Sequence, residues 1–160
     1  GLGFILVMRT FDRTRPGIGA QAVGVAQGAL EAAVNYARER EQFDRKIISF
    51  QAIQHMLADM AMQVEAARSL VYSVARYIDS NPKDFSKYSA MAKVFPSDIA
   101  IKVTIDAIQV FGGYGFMKEY PVEKMMRDAK ILQIYEGTNQ IQRNVIGLEL
   151  IKEAASKKKK

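Results

Sequence analysis

The run Tyr135-Glu136-Gly137-Thr138-Asn139-Gln140-Ile141-Gln142 sets one carboxylate in a Gly-Thr turn, where a new amphipathic helix is expected to begin. A glutamate so placed can act as a general base, while the turn's backbone amides polarise a carbonyl beside it. Proton removal next to a carbonyl carbon needs that pairing of base and donors. On these residues alone a plainer role stays open, because Glu is favourable near any helix N-terminus.

Three other groups carry possible chemistry. Gly112-Gly113-Tyr114-Gly115 could cradle phosphates, since glycines let backbone amides approach an anion closely; it could equally be a helix C-cap followed by a tight turn. Arg40-Glu41-Gln42-Phe43 joins a cation, an amide and an aromatic, suited to a phosphate and an adenine or simply to a solvated helix end. Asp12-Arg13-Thr14-Arg15-Pro16 reads as a charged cluster or a capped helix start. The one histidine, His55, lies beside an apolar helical seam, so a partly buried or surface position is expected. No Glu is followed three residues later by His, which excludes the paired Glu-x-x-His motifs of a di-iron bundle, and no metal site is expected.

These groups sit on helices. Ile53, Leu57, Met60, Val64, Ala67, Val71, Val74 and Ile78 are spaced alternately by four and three, one seam of a long helix ended by Ser80-Asn81-Pro82. Such a seam packs at a shallow angle against neighbours, as in a four-helix bundle. Before it, Gly17 to Glu41 reads as a helix, with small residues at Gly24, Ala26, Gly28 and Ala29 allowing close approach. After it comes Lys83 to Phe111, where the apolar pattern runs through Pro96 and predicts one kinked helix rather than two. Its core candidates are Tyr88, Met91, Ala92, Phe95, Ile99, Val103 and Val110. A short helix over Val122 to Ala129 and a last one from Asn139 to Ala154 complete an all-α, up-and-down four-helix-bundle-like chain. No segment shows the alternation of a strand.

Composition limits partners. The chain has 160 residues, enough for one domain, and no cysteine, which excludes disulfides and thiolate metal sites. Lys157 to Lys160 supply four of its six net positive charges, so the basic balance is a lysine-rich disordered tail over 155–160 rather than a nucleic-acid surface. The domain proper is expected over 1–154. No apolar run approaches the ~18 residues of a membrane span. The start at Gly1, without an initiator methionine, is expected of a fragment.

The order of several motifs adds a resemblance. Phe11-Asp12-Arg13-Thr14-Arg15, Arg40-Glu41-Gln42-Phe43, Phe50-Gln51, Gln109-Val110-Phe111-Gly112-Gly113-Tyr114-Gly115, Tyr120-Pro121-Val122-Glu123-Lys124, Arg127-Asp128-Ala129-Lys130 and Ile134-Tyr135-Glu136-Gly137-Thr138 follow one another as in the C-terminal helical domain of the acyl-CoA dehydrogenases. From about residue 3 to 150 the chain resembles that domain, of a short- or medium-chain, butyryl-CoA dehydrogenase-like type. The resemblance implies oxidation of an acyl-CoA thioester to its trans-2-enoyl form. Glu136 would remove the proton alpha to the thioester, and a hydride would leave the beta carbon for FAD.

By position, the resemblance places Asp12, Arg13, Thr14, Arg15 and Gly137 on the acyl-CoA, Arg15 near the CoA moiety, and Tyr135 at the acyl pocket. Arg40, Gln42, Phe43 and Gln51, with Gln109, Gly112 and Gly113, would grip the pyrophosphate and adenine end of FAD from a neighbouring subunit. Thr138 and Gln140 would stand beside the subunit's own flavin. A homodimer or homotetramer, electron-transferring flavoprotein as acceptor, and a bacterial cytoplasm or mitochondrial matrix are implied with it. Some branches of that family carry the base near the position of Thr14, which here is no carboxylate. Two residues depart from its pattern: Asp44 where Gly is usual, suggesting a positive φ, and Pro96 inside the third helix. The family's N-terminal and middle domains are missing, so the isolated chain is expected to bind FAD poorly and to be inactive. A self-associating bundle without cofactor is the other reading of the same helices.

Overall fold

The computed structural model describes residues 1–82 and 84–157. Five helices carry the fold: α1 (Leu2–Glu39), α2 (Gln51–Asp79), α3 (Ser86–Phe111), α4 (Val122–Leu132) and α5 (Asn139–Lys157). The all-α, bundle-like expectation holds. The last helix takes in residues 155–157 of the expected tail; 158–160 lie outside the described residues. Among the described residues no helix is long and apolar enough to cross a membrane.

The α2 seam is as the spacing predicts. Leu57, Met60, Val64, Ala67, Val71 and Val74 are buried, and only the end members Ile53 and Ile78 are half-exposed. On α1 the buried stripe is Ala22, Val23, Ala26, Ala29, Ala33 and Ala37. Alanine at these positions lets a neighbour lie close, and the longest contact in the molecule is α1 against α3. The third helix also meets α2, α4 and α5, so it buries more than one face. Its buried set includes Ser89, Ala90, Lys93, Ser97, Ala100, Thr104 and Ala107, whereas Tyr88 and Phe95 are exposed. Ser97 and Thr104 are tolerated inside because each hydroxyl donates to a carbonyl one turn back, Lys93 at 2.7 Å and Ala100 at 2.8 Å.

Two prolines lie inside helices. The first helix runs from Leu2 straight through Pro16, correcting the expected start at Gly17. Proline supplies no amide to the carbonyl four residues back, here Asp12. That carbonyl instead accepts from the Ser89 hydroxyl of α3. Pro96 frees the Ala92 carbonyl in the same way, and this oxygen points at the bare Cα of Gly19, where a Cβ would come within 2.0 Å. The expected single helix through Pro96 is present. Close approach is set by Gly19, not by Gly24, which has nothing within 4 Å.

The sequence pattern missed the link between α1 and α2. Strands β1 (Glu41–Gln42) and β2 (Arg45–Lys46) form a two-residue hairpin between α1 and α2. Phe43 and Asp44 at its tip have φ of 54° and 59°, the signature of a type I′ turn. The positive φ expected at Asp44 is there, and Phe43 shares it.

Candidate active site

After Leu132 the chain leaves α4 and turns through Glu136 (φ 53°) and Gly137 (φ 89°) before α5. Left-handed backbone costs a non-glycine residue energy and persists only where the surroundings hold it. Here they do. The Asn139 amide donates back to the Gln133 carbonyl at 2.9 Å. Thr138 caps α5, its hydroxyl oxygen accepting from the Ile141 amide at 3.3 Å. A Cβ on Gly137 would meet Gln142 Nε2 at 2.3 Å, so glycine is required twice over.

Side chains from three helices hold the turn from within. Gln142, fully buried on α5, donates its amide to the carbonyls of Glu136 and Gly137, each at 3.3 Å. Arg15 of α1, 1% exposed, directs Nε at the Glu136 carbonyl at 3.5 Å and pairs with Asp12 at 2.7 Å. Ser86 in turn donates to the other Asp12 oxygen at 2.5 Å. Lys93 of α3 donates to the Gly137 carbonyl at 2.9 Å and to Asn139 Oδ1 at 2.7 Å. The Asn139 amide group then reaches Ser97 and Asp98, both at 2.8 Å. Burial pulls the Arg15 guanidinium below its usual range against the pull of Asp12 and Glu136. It also lowers the Lys93 ammonium to about 8, with Asp98 opposing.

The Glu136 carboxylate stands outside this frame. Its Oε2 accepts from the Thr14 hydroxyl at 2.5 Å. No acceptor among the described residues takes the backbone amides of Glu136, Gly137 or Thr138. A carboxylate and unpaired amides thus share one turn. Tyr135, whose hydroxyl donates to Gln21 at 2.5 Å, closes one end of an apolar cleft of about 560 Å³ between α1 and α4, lined by Val25, Gly28, Met125 and Leu132. Burial, then Glu136, raises the Tyr135 phenol above its usual value.

The expected residues divide into groups. Thr14, Arg15, Tyr135, Glu136 and Gly137 come together, with Asp12 one bond behind. Arg15 is a buried support of the turn. Arg13 instead lines a polar cleft with Arg9, Asn81 and Asp84. On the other side of the turn, Thr138 and Gln140 line a cleft with Asp98, Lys130 and Arg143.

A separate cleft of about 550 Å³ joins Tyr36, Arg40 and Gln42 to Phe111, Gly112, Gly113 and Tyr114. Gly112 (φ 62°) ends α3, so the C-cap reading is realised within the cleft. The Arg40 guanidinium lies 5.4 Å from the centre of the Tyr114 ring. A cation, glycine backbone and aromatic walls suit a pyrophosphate and a flat base, so these residues fit one end of a dinucleotide. Phe43 (87% exposed), Gln51 and Gln109 are exposed and do not line this cleft. His55 is exposed on α2.

Lys93, Gln142 and Asp98 escaped the sequence reading. Lys93 left one signal: it is the only charge between Lys87 and Asp98, in a run otherwise apolar or small.

The family model described as "Acyl-CoA dehydrogenase, C-terminal domain" matches residues 1–151. The probable acyl-CoA dehydrogenase FadE25 of Mycobacterium tuberculosis is 57% identical over 152 residues, 95% of this chain and 39% of that protein. The caffeyl-CoA reductase-Etf complex subunit CarC of Acetobacterium woodii is 49% identical over 94% of this chain and 39% of its own length. The solved butyryl-CoA dehydrogenase of Megasphaera elsdenii superposes with a TM-score of 0.91 at 50% identity, over 94% of this chain and 39% of that one. The chain therefore spans about two fifths of these relatives' length. With the helices, the held glutamate turn and the family match in agreement, this chain belongs to the acyl-CoA dehydrogenase family, in the part that forms its C-terminal helical domain.

Proposed function

We propose that this chain supplies the catalytic base to a flavin-dependent acyl-CoA dehydrogenase, which converts an acyl-CoA to its trans-2-enoyl form. The single observation that carries the reading is the Glu136 carboxylate, held outside a left-handed turn beside unpaired amides. A carboxylate alone is too weak a base for a proton alpha to a thioester. Amide donors on the thioester oxygen acidify that proton, and exclusion of water raises the basicity of the carboxylate. In this reading the Glu136 amide donates to the thioester oxygen while its carboxylate takes the alpha proton. The electron pair of that C–H bond forms the new double bond as a hydride departs from the beta carbon. FAD, when bound, supplies the acceptor for that hydride. Thr14 orients the carboxylate, and Tyr135 with the apolar α1–α4 cleft takes the acyl chain, of short to medium length by similarity. Asp12, Arg13 and Arg15 serve the CoA side, Arg15 chiefly by holding the turn.

Arg40, which lines its cleft with Gln42, Gly112 and Gly113, lies about 37 Å along α1 from Arg15, at 1.5 Å per residue. That separation supports the reading that the cleft grips the pyrophosphate and adenine of a neighbouring subunit's FAD, with Phe43, Gln51 and Gln109 meeting that neighbour. Thr138 and Gln140 would face the subunit's own flavin. A homodimer or homotetramer follows from such sharing. The Etf complex named for the Acetobacterium relative supports an electron-transferring flavoprotein as acceptor, and the bacterial relatives favour a bacterial cytoplasm over a mitochondrial matrix. Exposed Leu2, Phe4 and Leu6 on α1 (78%, 73% and 61%) support burial against the remainder of a longer protein; the isolated chain is expected to be inactive.

The test is butyryl-CoA-dependent bleaching of flavin absorbance in the full-length polypeptide, repeated with Glu136→Gln. Loss of bleaching by a thousandfold or so is expected for removal of the only base. Undiminished bleaching would sink the assignment.

A further inference from the structure

Lys93 is fully buried in the first third of α3, and among the described residues its ammonium touches no carboxylate directly. Its negative counterpart, Asp98, is reached only through Asn139. A charge placed there for stability alone would be a poor choice, since apolar residues fill such positions at less cost. What the ammonium does contact is the underside of the turn: the Gly137 carbonyl and the first residue of α5. In a trans peptide the carbonyl and the following N–H point opposite ways. Tying the Gly137 carbonyl inward therefore turns the Thr138 amide outward. Gln142 does the same for the Gly137 amide by holding the Glu136 carbonyl. Gly137 thus lies between two pinned peptides, and Glu136, with φ 53°, leads into the first of them. Arg15, Glu136 and Asp98 are the charged groups that face the ammonium.

We propose that Lys93 is a positioning residue for the proton transfer, fixing the direction of the Glu136 carboxylate through the Gly137 carbonyl and Asn139. This rests on Glu136 being the base. Without the tie, only the longer bonds from Arg15 and Gln142 hold the turn, so Glu136 relaxes from the left-handed region more readily and its carboxylate swings from the line to the alpha carbon. Misplacement of a reacting group by about 1 Å costs on the order of a hundredfold in rate.

The experiment uses the full-length flavoprotein with butyryl-CoA as probe. Lys93→Met keeps the length of the side chain without its donors, and Lys93→Gln keeps an amide donor on a shorter reach. The expected order of flavin-reduction rate is parent, then Gln, then Met, with Met slower by tenfold or more and KM moved little. The isotope effect from alpha-deuterated butyryl-CoA should rise in both variants. Hydrogen exchange should quicken at residues 135–139 while α2 stays protected, a pattern that general loosening of the bundle does not give. Met as fast as parent, with an unchanged isotope effect, overturns the proposal. If Met fails to fold, Gln decides alone: a parental rate and exchange pattern overturn it equally. Glu136→Gln run alongside separates the two ideas. If it is inactive while Lys93→Met is parental, only the Lys93 role falls; if it keeps its rate, the base assignment falls and takes this proposal with it.

Discussion

Replacing Gly19 by alanine should destabilise the protein, against the usual effect of that change in a helix. Alanine in place of a helical glycine ordinarily gains about 1 kcal/mol. At Gly19 the added Cβ would stand 2.0 Å from the Ala92 carbonyl oxygen, 3.0 Å from Val71 Cγ2 and 3.1 Å from the Ala92 carbonyl carbon. Ordinary contact begins near 3.4 Å, so α1 and α3 would have to part by more than 1 Å along the longest interface of the fold. Neither neighbour can yield locally, because one is backbone and the other a buried valine. Overpacking of this kind costs about 1–3 kcal/mol and sometimes more. Set against the helix gain, a net loss of up to about 2 kcal/mol is expected, or several degrees in Tm. Urea unfolding followed by helical circular dichroism measures it, with Gly24→Ala as control because nothing lies within 4 Å there. The control should gain up to about 1 kcal/mol. Pro96→Ala should soften the penalty, since the restored amide draws the Ala92 carbonyl back into α3, and the double variant should show that coupling. A Gly19→Ala protein as stable as its parent, with the control behaving normally, would refute the packing argument.

Two further outcomes follow from backbone and charge. Asp44→Gly should stabilise the hairpin by up to about 1 kcal/mol, seen as a small rise in Tm, because glycine meets the φ of 59° without strain. The pH dependence of stability should carry the mark of Lys93. Burial holds its folded pKa near 8, below the ordinary 10.5, so the unfolded chain binds the proton more tightly between those values. The burial cost is therefore full below pH 8 and is relieved as pH rises towards 10.5, by at most roughly 3 kcal/mol. Unfolding free energies at pH 7 and pH 10 should show this gain in the parent and not in Lys93→Met.

Legibility varied with the range of the interactions concerned. The α2 seam could be read because periodicity alone selects its buried face, and Leu57 to Val74 lie where the spacing puts them. The start of α1 could not, because proline at position 16 looks like a helix boundary until Ser89, from another helix, is seen to take the carbonyl it frees. The hairpin at 41–46 is too short and polar to alternate. Glu136 was visible through its turn chemistry and the company of the other motifs. The residues that hold it were not: Lys93 finds its carbonyl partner 44 positions away, and no local pattern announces such a bond. Asp12 and Arg15 were singled out for a ligand, yet the bonds they make are to the turn and to α3.

The two prolines have a consequence for alignment. Helices packed through side chains can creep past one another by small steps, because ridges and grooves tolerate a range of settings. Here one freed carbonyl from each helix is keyed into the other, Asp12 into Ser89 and Ala92 against Gly19. A single key would leave a pivot, but two keys on separate turns block both sliding and swivelling. A slip of one helical turn, about 5.4 Å, would strand both oxygens. Arg15 stands next to Pro16 and Lys93 next to Ala92, so both cations that steady the glutamate turn sprout from the keyed joint itself, where the bundle has the least play.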